Sequence, residues 1–588
     1  MMKRSTAKLL LLALLVLTMV PALTACSKES GSGDTHEITY WIAKGEDASL
    51  YSEYEDNPVI QYITQNYEFN GKKISFDFFV APPGSESDDF NNLMGTGDYC
   101  DVMSMGMSGM SPADMLDEGM LWDLTELVPE HMPNLMAWLE ENPDQKEYLY
   151  TYVDSEPRIL NLTGFADQAE PNFQGFCYRR DWLVKYGTNP TTGAAFTGGF
   201  ADANDPESWT DDVVFPSGGD EPIYISDWEW MFDIFVKAMA DQGITDGYCY
   251  APYYVGYMQT GDLYTGFGGG APYWYYNGEK IVNGITNDNM RAYLQCLNTW
   301  YKNGWLDPGF DENTGDIFFS VDSASVFQGK VGLWQGRQST VGVQIDSGEG
   351  FTQGAMVYGC RQPINDVYGG PDQQGHEPDH LYQNSRHNND TIILTDKMTE
   401  EEVVAFLEFV DFLYTDEGAL LCTVGLNAEQ LAATPSKFYE SQGLTDGSYT
   451  VEEVNGERVL HPKLNPAETV FNAARLERVA TRFVLESQLD RGYDRYIAQA
   501  VESWDYYTKS AEMPVRVTSS VTPAQNQEIA RIRSSLEQFQ QRVIPAAIKG
   551  EGYDVWSDAG WESFCKDINK YRAEEITAIY QSILDSFN

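Results

Sequence analysis

The stretch ISFDFFV, Ile74–Val80, places apolar side chains at every second position, which is the pattern of a β-strand with one buried face. ITYWI, Ile38–Ile42, is another short apolar run upstream of it. Farther along, TEEEVVAFLEFVDFLYTDEG has apolar residues at helical spacing and begins with a capping box of Thr399 and Glu402. Because strand-like and helix-like segments alternate, the sequence predicts α/β lobes with largely parallel sheets.

Further helices are predicted from apolar faces and from residues that favour helix ends. SDWEWMFDIFVKAMADQG suggests a capping box of Ser226 with Glu229, and NMRAYLQCLNTWYKNG ends at Gly304. After about residue 465 the pattern is mainly helical, as in NQEIARIRSSLEQFQQRVIPAAI. A chain of 588 residues is too long for one ordinary core, so two or more domains are expected.

The composition indicates a folded protein with a strongly acidic balance. The 14 Trp and 36 Tyr are far more than a disordered chain contains. The formal net charge of −51 repels nucleic acid phosphates and anionic membrane surfaces, so no nucleic acid partner is expected. A high charge of one sign also keeps an exported protein soluble, and it favours a neutral ligand over an acidic one.

The N-terminus predicts export and lipidation. The basic segment MMKRSTAK precedes the apolar run LLLLALLVLTMV, which is too short to span a bilayer as a helix. The following LTAC resembles the lipobox of bacterial lipoproteins, which implies a diacylglyceryl thioether on Cys26. An ordinary signal peptide with a chance cysteine is the alternative. We therefore expect a signal peptide over residues 1–25, a lipidated tether over 26–36 and anchoring at the outer face of the cell membrane.

The remaining cysteines are odd in number and widely spaced, and they contain no C-x-x-C pair. They are Cys100, Cys177, Cys249, Cys296, Cys360, Cys422 and Cys565. This pattern is neither a disulfide framework nor a zinc ribbon, so most are predicted to be buried thiols, although one surface disulfide stays open.

Several short stretches imitate catalytic or metal-binding motifs. HEPDH, His376–His380, has the letters of a zinc protease motif, but Gly375 and Pro378 disfavour the helix that such a site needs. GFGGGA, Gly266–Ala271, leads into aromatic residues rather than a helix. DENTGD, which begins at Asp311, imitates part of a calcium loop but has Asp316 at the position that requires glycine. We therefore predict no catalytic residue, no metal and no cofactor.

Six segments, in order, carry a resemblance to a known family. They are NLMGTGDYCDVMSM, EGMLWDLTELVPEHMPNL, GFCYRRDWLVKYG with its Arg179–Leu183 signature, WYYNGEKIVNGITNDNMRAYLQCLNTWYKNGWLDPGF, FVDFLYTDEGALLCTVG and WSDAGWESFCKDINKYRAEEITAIYQ. With these, nearly all of the mature chain resembles the extracellular solute-binding proteins, family 1, of carbohydrate ABC importers, in particular the large lipoproteins of Firmicutes. Cys100, where proline is usual, and the long loop around HEPDH depart from the pattern.

The resemblance implies a type II, periplasmic-binding-protein-like α/β clamp with two discontinuous lobes and a helical C-terminal region. The N-terminal lobe is expected over 37–165 and 385–440, and the C-terminal lobe over 166–384 and 441–588. It also implies a monomer that captures an oligosaccharide in an interlobe cleft, catalyses no reaction and delivers the sugar to ABC permease subunits in the membrane. The alternatives are a surface glycoside hydrolase, or the same clamp used for a peptide or another solute.

A sugar presents apolar C–H faces and a rim of hydroxyls, so aromatic rings and planar polar groups are the side chains expected to bind it. The candidates are Trp41, Lys44, Asp98, Tyr273, Trp274, Trp334, Gln335 and Arg337. They lie in predicted loops or at strand ends, where open α/β sheets bind ligands. Each tryptophan could equally belong to a core. Arg180 and Asp181, in the signature, are interpreted as structural.

Overall fold

The structure, a computed structural model, describes residues 33–42, 50–51, 53–81, 85–104, 110–153, 156–202, 205–252, 262–270, 274–312, 325–326, 328–344, 355–378, 386–387, 391–466, 468–476, 483–484, 488–507 and 513–587. These form two compact units, each assembled from separate parts of the chain. Unit 1 comprises the described residues up to Val153, Pro157–Gln168 and His387–Arg491, and unit 2 comprises the rest. Cys26 and the predicted signal peptide lie outside the described residues.

The first passage of the chain builds most of unit 1. Its strands are β1 (Thr35–Ile42), β2 (Lys73–Val80), β3 (Val102–Ser104), β4 (Thr151–Val153), β5 (Glu156–Arg158) and β6 (Phe165–Ala166). Its helices are α1 (Pro58–Asn66), α2 (Glu86–Thr96), α3 (Pro112–Asp117), α4 (Leu127–His131) and α5 (Pro133–Glu141). The strand predicted from ISFDFFV is confirmed as β2.

The second passage builds the sheet of unit 2. Its strands are β7 (Gln174–Arg179), β8 (Gly198–Phe200), β9 (Trp209–Asp211), β10 (Tyr248–Ala251), β11 (Trp274–Tyr276), β12 (Ile281–Asn283), β13 (Val331–Arg337), β14 (Gly342–Gln344) and β15 (Ala355–Cys360). Its helices are α6 (Arg180–Tyr186), α7 (Ile225–Gln242), α8 (Asp262–Thr265) and α9 (Asp288–Lys302).

The chain then returns to unit 1 and ends in helices of unit 2. The return comprises β16 (Ile392–Leu394), α10 (Glu400–Phe412), α11 (Asp416–Val424), α12 (Ala428–Ala433), α13 (Lys437–Ser441), β17 (Tyr449–Val454), β18 (Glu457–Pro462), α14 (Thr469–Ala474) and β19 (Phe483–Val484). The final helices are α15 (Arg495–Trp504), α16 (Val515–Thr518), α17 (Pro523–Lys549), α18 (Asp558–Asn569) and α19 (Ala573–Ser586). Among the described residues, no helix is both long and apolar enough to cross a bilayer.

The sheet of unit 1 has the order β16-β3-β1-β2, in which β1 pairs in parallel with both β2 and β3 and only β16 is antiparallel. Its core lies between the sheet and α10, where Phe406 packs on Tyr40 and Phe409 on Phe76. The predicted capping box of α10 is confirmed, since Thr399 N and Oγ1 donate to Glu402 at 2.8 and 2.9 Å.

The sheet of unit 2 has the order β10-β13-β7-β15-β14 and is mainly antiparallel. Only β10 and β13 pair in parallel, because β7 runs against both β13 and β15, and β14 runs against β15. The prediction of largely parallel sheets is therefore wrong for unit 2. The alternation of strands and helices along the sequence identifies these elements. It does not determine which strands pair in the sheet or in which direction they run.

The start of α7 also differs from the sequence prediction. The helix begins at Ile225, so Ser226 already lies in its first turn and is not the N-cap. The cap is made by Asp227, whose carboxylate accepts hydrogen bonds from the backbone N–H groups of Ile223 (2.9 Å) and Tyr224 (3.0 Å). Ser226 Oγ instead donates to Asp366 at 2.6 Å. This bond ties the segment after β15 to the N-terminus of α7.

The division of the chain differs from the predicted lobes at residues 441–491. The prediction placed them in the C-terminal lobe, whereas they cluster with unit 1. Tyr449 and Leu460 of the β17–β18 hairpin pack on Val424 of α11, and Leu476 joins the main core of unit 1. These local contacts favour unit 1 for the segment.

Among the described residues, five cysteines are buried as predicted, namely Cys177, Cys249, Cys296, Cys360 and Cys422, and Cys565 is half-buried. Burial raises the pKa of the Cys177 thiol to about 12 and that of Cys565 to about 11. These thiols are therefore protonated at neutral pH and unreactive as nucleophiles.

His387 gives unit 1 a predicted sensitivity to acid. Its ring stacks on Tyr148 at 3.7 Å between centroids, and burial lowers the pKa of His387 to about 4. The unfolded chain binds this proton near pH 6.5, so stability is lost as the pH falls from about 6.5 to 4. We expect His387→Phe, which keeps the stacking, to lose less unfolding free energy than the wild type when the pH is lowered from 7.5 to 5. Denaturant melts at both pH values measure this, and equal pH dependence in both proteins would contradict it.

Candidate functional site

The parallel strands of unit 1 point their carboxyl ends at one edge of the sheet, where β1, β2 and β3 end at Ile42, Val80 and Ser104. The segments that follow, residues 43–49, 82–84 and 105–109, lie outside the described residues, and Lys44 is among them. Of the predicted ligand residues in unit 1, Trp41 and Asp98 can therefore be located.

Trp41 lies in a core rather than on a surface. It is 1% exposed, its Nε1–H donates to Asp89 at 2.7 Å, and its ring meets Phe90 edge-on at 5.5 Å. Asp98 is exposed in the turn after α2. The structure thus gives Trp41 a packing role and leaves Asp98 accessible to a ligand.

Trp274 and Trp334 of unit 2 are also buried. The Nε1–H of Trp274 donates at 3.0 Å to Oγ1 of Thr577, which lies in α19. Arg533 of α17 lies over the Trp274 ring. Trp334 of β13 packs in the smaller core beneath α15. Tyr273 lies outside the described residues.

Gln335 and Arg337 are half-buried at the end of β13, at an edge where several strand ends meet. Arg337 pairs in register with Gln174 at the start of β7, and Cys360 at the end of β15 pairs with Phe176. The carboxyl ends of β13 and β15 and the start of β7 therefore lie together, joined by the end of β10. Of the predicted set, the structure brings Gln335 and Arg337 to this edge.

A group of side chains that the sequence did not single out extends this edge. We refer to Phe173, Glu221, Arg361 and Tyr506 as the strand-end cluster. Arg361, directly after β15, pairs with Glu221: its Nη2 is 2.5 Å from one carboxylate oxygen, and its backbone N–H donates to the other at 2.9 Å. The guanidinium carbon lies 3.6 Å from the centroid of the Tyr506 ring. A planar ion pair and an aromatic ring are therefore fixed against each other.

The aromatic rings of the cluster remain open to solvent. Tyr506 is 52% exposed and Phe173 is 43% exposed, whereas the Arg361 and Glu221 side chains are only 16% and 19% exposed. The backbone near both rings is fixed, because Asn172 donates to Asp505 Oδ1 through its backbone N–H at 3.1 Å and through Nδ2 at 2.7 Å. Exposed rings on a fixed backbone are the surface that a flat ligand face needs.

Burial and neighbouring groups shift the pKa of Arg361 in the cluster and that of the adjacent Tyr507. Burial lowers the pKa of Arg361, but the hydrogen bond and charge of Glu221, together with Tyr506 and Tyr507, outweigh burial, and the net pKa is raised. Tyr507, which meets Tyr506 edge-on at 5.0 Å, is buried, and burial raises the pKa of its phenol to about 12. The cluster therefore presents the guanidinium of Arg361, held by Glu221, beside the exposed ring of Tyr506, a combination suited to contact with the hydroxyl groups and C–H faces of a ligand.

Trp504 packs closely against Gly175 of β7 and so fixes the position of this sheet edge. The Trp504 indole N–H donates to the backbone carbonyl of Phe176 at 3.0 Å. A Cβ at Gly175 would lie only 2.2 Å from the Trp504 ring, so β7 can carry only glycine there. This packing brings the end of α15, and hence Tyr506, to the sheet edge.

The HEPDH stretch does not form a zinc protease helix in the described residues. His376–Pro378 have no helical structure, and His376 Nε2 donates to the Asp372 carbonyl at 2.7 Å. His380 lies outside the described residues. Within the part of the chain that the structure covers, no three or more His, Cys, Asp or Glu side chains are grouped so that they could bind a metal ion.

The arginine signature is structural, as interpreted from the sequence. Arg180 is buried and forms an ion pair with Asp211 at 2.6 Å, and it also donates to Tyr178 Oη and the Asp220 carbonyl. Arg179 pairs with Asp181 at 2.7 Å. These arginines fasten β7 and α6 to the rest of unit 2.

Comparisons with known proteins agree with this architecture at the level of fold. No family model matches the chain, and no curated protein matches it. Among solved structures, an extracellular solute-binding protein from Bifidobacterium longum subsp. infantis is similar with a TM-score of 0.64 at 13% identity, covering 95% of this chain and 100% of that one. A solute-binding protein of the same organism, described as associated with an ABC transporter and binding HMO, matches with a TM-score of 0.64, 13% identity and coverages of 95% and 99%.

A third similar structure is the S. pneumoniae ABC-transporter substrate-binding protein FusA, an EF-hand mutant in complex with fructo-nystose. Its TM-score is 0.59 at 14% identity, and the match covers 94% of this chain and 99% of that one. The likeness spans both units. The chain therefore has the fold of the extracellular solute-binding proteins, an α/β fold of two discontinuous lobes, as the sequence resemblance predicted.

Proposed function

We infer that this chain is the substrate-binding lipoprotein of a carbohydrate ABC importer, which captures an oligosaccharide and delivers it to the permease subunits. The strand-end cluster of unit 2 carries this proposal, since it combines exposed aromatic rings with a fixed Arg361–Glu221 pair at a ligand-binding edge of the fold. The fold shared with sugar-binding proteins of ABC transporters supports it.

The cluster suits a sugar because it matches both parts of a pyranose or furanose ring. The exposed face of Tyr506 offers a flat apolar surface to the C–H groups, while Arg361 can donate to hydroxyl oxygens and Glu221 can accept from hydroxyl protons. The two charges neutralise each other, and the chain as a whole is strongly negative, so the ligand is a neutral glycan rather than a uronate.

The remaining parts of the proposal rest on the sequence. Lipidation of Cys26 would hold the monomeric protein at the outer face of the cell membrane, close to the permease. Asp98 of unit 1, exposed near the end of its sheet, is a further ligand candidate, and so are Lys44 and Tyr273.

A thermal-shift screen tests the proposal. The chain beginning at residue 27, without the lipidated cysteine, is heated with neutral oligosaccharides, acidic oligosaccharides and peptides side by side. A ligand at a hundred times its Kd stabilises the folded state by about 2.7 kcal/mol, which is readily seen as a rise in Tm. We expect a rise with one or more neutral oligosaccharides only.

Two outcomes, one of this screen and one of a separate incubation, would contradict the proposal. A rise with peptides alone would favour the same fold used for another solute. Release of shorter sugars during prolonged incubation with the stabilising oligosaccharide, followed by chromatography, would favour a surface glycoside hydrolase.

A further inference from the structure

Unit 2 contains a cavity of about 580 Å³ that shares no residue with the strand-end cluster. It lies between the first turns of α9, the loop around Val367–Gln373 and the segment that precedes α18. Its volume is within the range of about 300–1,000 Å³ that small-molecule sites occupy. We refer to it as the Trp556 pocket.

The pocket presents a tryptophan that is half exposed yet fixed in position. Trp556 is 49% exposed, and its Nε1–H donates to Asn298 Oδ1 at 2.9 Å. Its ring lies 6.3 Å from that of Tyr368, which is buried and donates its hydroxyl to Glu229 at 2.6 Å. An exposed indole normally costs free energy in water, and here its orientation is fixed by a polar bond rather than by burial.

The backbone that carries Trp556 is fixed by planar side chains of α9. Arg291 donates from Nε to the Val555 carbonyl at 2.9 Å and from Nη2 to the Trp556 carbonyl at 3.2 Å. Gln295 Nε2 donates to the same Val555 carbonyl at 3.1 Å. The wall bearing the indole is therefore preorganised.

The opposite wall is fixed by one buried amide. Asn365 Nδ2 donates to the carbonyls of Tyr368 (2.8 Å) and Gln373 (2.7 Å), and its Oδ1 accepts from the Tyr368 backbone N–H at 3.0 Å. Val367 on this loop is 40% exposed and lines the cavity. Both walls are thus fixed by hydrogen bonds within the protein, which lowers the entropic cost of binding a ligand.

The charges of the pocket favour a neutral ligand. Arg291 is the cation among its lining residues, and it is paired with Asp558 at 2.9 Å, while Asp288 adds a negative charge. An anionic ligand would have to compete with the Asp558 carboxylate for that guanidinium and would be repelled by the charge of Asp288. A fixed aromatic face beside amide, guanidinium and carboxylate groups is instead complementary to the C–H face and hydroxyls of a sugar ring.

We propose that the Trp556 pocket is a second carbohydrate-binding site, which takes one or two neutral pyranose residues on the face of Trp556. Residues after Arg361 leave the sheet edge and reach the pocket at Val367, so the two sites lie along one continuous segment of unit 2. The second site binds sugar whether or not the strand-end cluster does, and it therefore goes beyond the proposed function.

The test uses saturation-transfer NMR on the mature chain with millimolar maltotetraose, cellotetraose, lacto-N-tetraose and mannopentaose. In a Tyr506→Ala variant, which removes the main ring of the strand-end cluster, we expect weak saturation transfer to at least one of these sugars to persist. Adding Trp556→Ala weakens that residual binding by about tenfold or more, as expected for loss of an aromatic contact.

A matched pair of mild substitutions guards against an effect of misfolding. Val367→Ala, inside the pocket, reduces the residual transfer, whereas Val236→Ala, which is 43% exposed on α7 outside the pocket, leaves it unchanged. The proposal would be overturned if the Tyr506→Ala variant showed no saturation transfer. It would also be overturned if adding Trp556→Ala or Val367→Ala left the residual transfer unchanged. The proposed function would fail on a different result, namely a Tyr506→Ala variant that binds the oligosaccharide as strongly as the wild type does.

Discussion

Tyr506→Ala is expected to weaken oligosaccharide binding by about 10- to 100-fold, the loss typical of an aromatic residue at the centre of a binding surface. The ring is 52% exposed and lies on the Arg361 guanidinium, so its removal takes away the flat face that a sugar would cover. It also leaves the ion pair more accessible to water. Isothermal titration with the best oligosaccharide from the thermal-shift screen measures the change.

Tyr506→Phe is the matched control for this prediction. The phenylalanine keeps the aromatic face over Arg361 and removes only the hydroxyl, so the Kd should stay within about threefold of the wild type. Equal affinities of the alanine variant and the wild type would remove Tyr506 from the site. Equal losses in the alanine and phenylalanine variants would assign the effect to the hydroxyl rather than to the ring.

Arg180→Ala is expected to destabilise unit 2 by about 3–5 kcal/mol, because it leaves a buried carboxylate without its partner. The side chains of Arg180 and Asp211 are both only 4% exposed, and the guanidinium also lies 5.0 Å from the Tyr358 ring centroid. Hydrogen exchange of peptides from β7 and α6, followed over a denaturant series, measures the free energy of unfolding for this unit.

The Lys330–Asp246 pair gives a control in the same unit at the same separation of 2.6 Å. Its side chains are 27% and 66% exposed, so Lys330→Ala should cost less than about 1 kcal/mol. The double variant Arg180→Ala/Asp211→Ala should recover part of the loss, since no unpaired carboxylate then remains buried. Similar costs for Arg180→Ala and Lys330→Ala would contradict the view that burial makes the signature arginine structural.

Local patterns made parts of the fold predictable. The alternation in Ile74–Val80 gave β2, and the Thr399–Glu402 box gave the start of α10, because both depend on neighbours within a few residues. The start of α7 was mispredicted because Asp227, one residue after Ser226, provides the cap. The antiparallel pairing of β7 with β13 and β15 depends on contacts between distant segments, which no local pattern encodes.

The candidate site was less predictable than the fold. A tryptophan at a strand end can point to either face of the sheet, and the structure places Trp41 and Trp334 in cores. Arg361 and Tyr506 are far apart in sequence and meet only because α15 packs against β7 and β15. One signal was present, since the consecutive Tyr506 and Tyr507 directly follow an amphipathic helical segment and continue no apolar face.

We propose that the strand-end cluster of unit 2 binds an oligosaccharide without altering it. A crystal structure of the chain with the oligosaccharide that most raises its Tm tests this most directly. We expect an intact glycan with one ring against Tyr506 and hydroxyls hydrogen-bonded to Arg361 and Glu221. A glycan bound with no contact to these three residues, or one cleaved in the crystal, would contradict it.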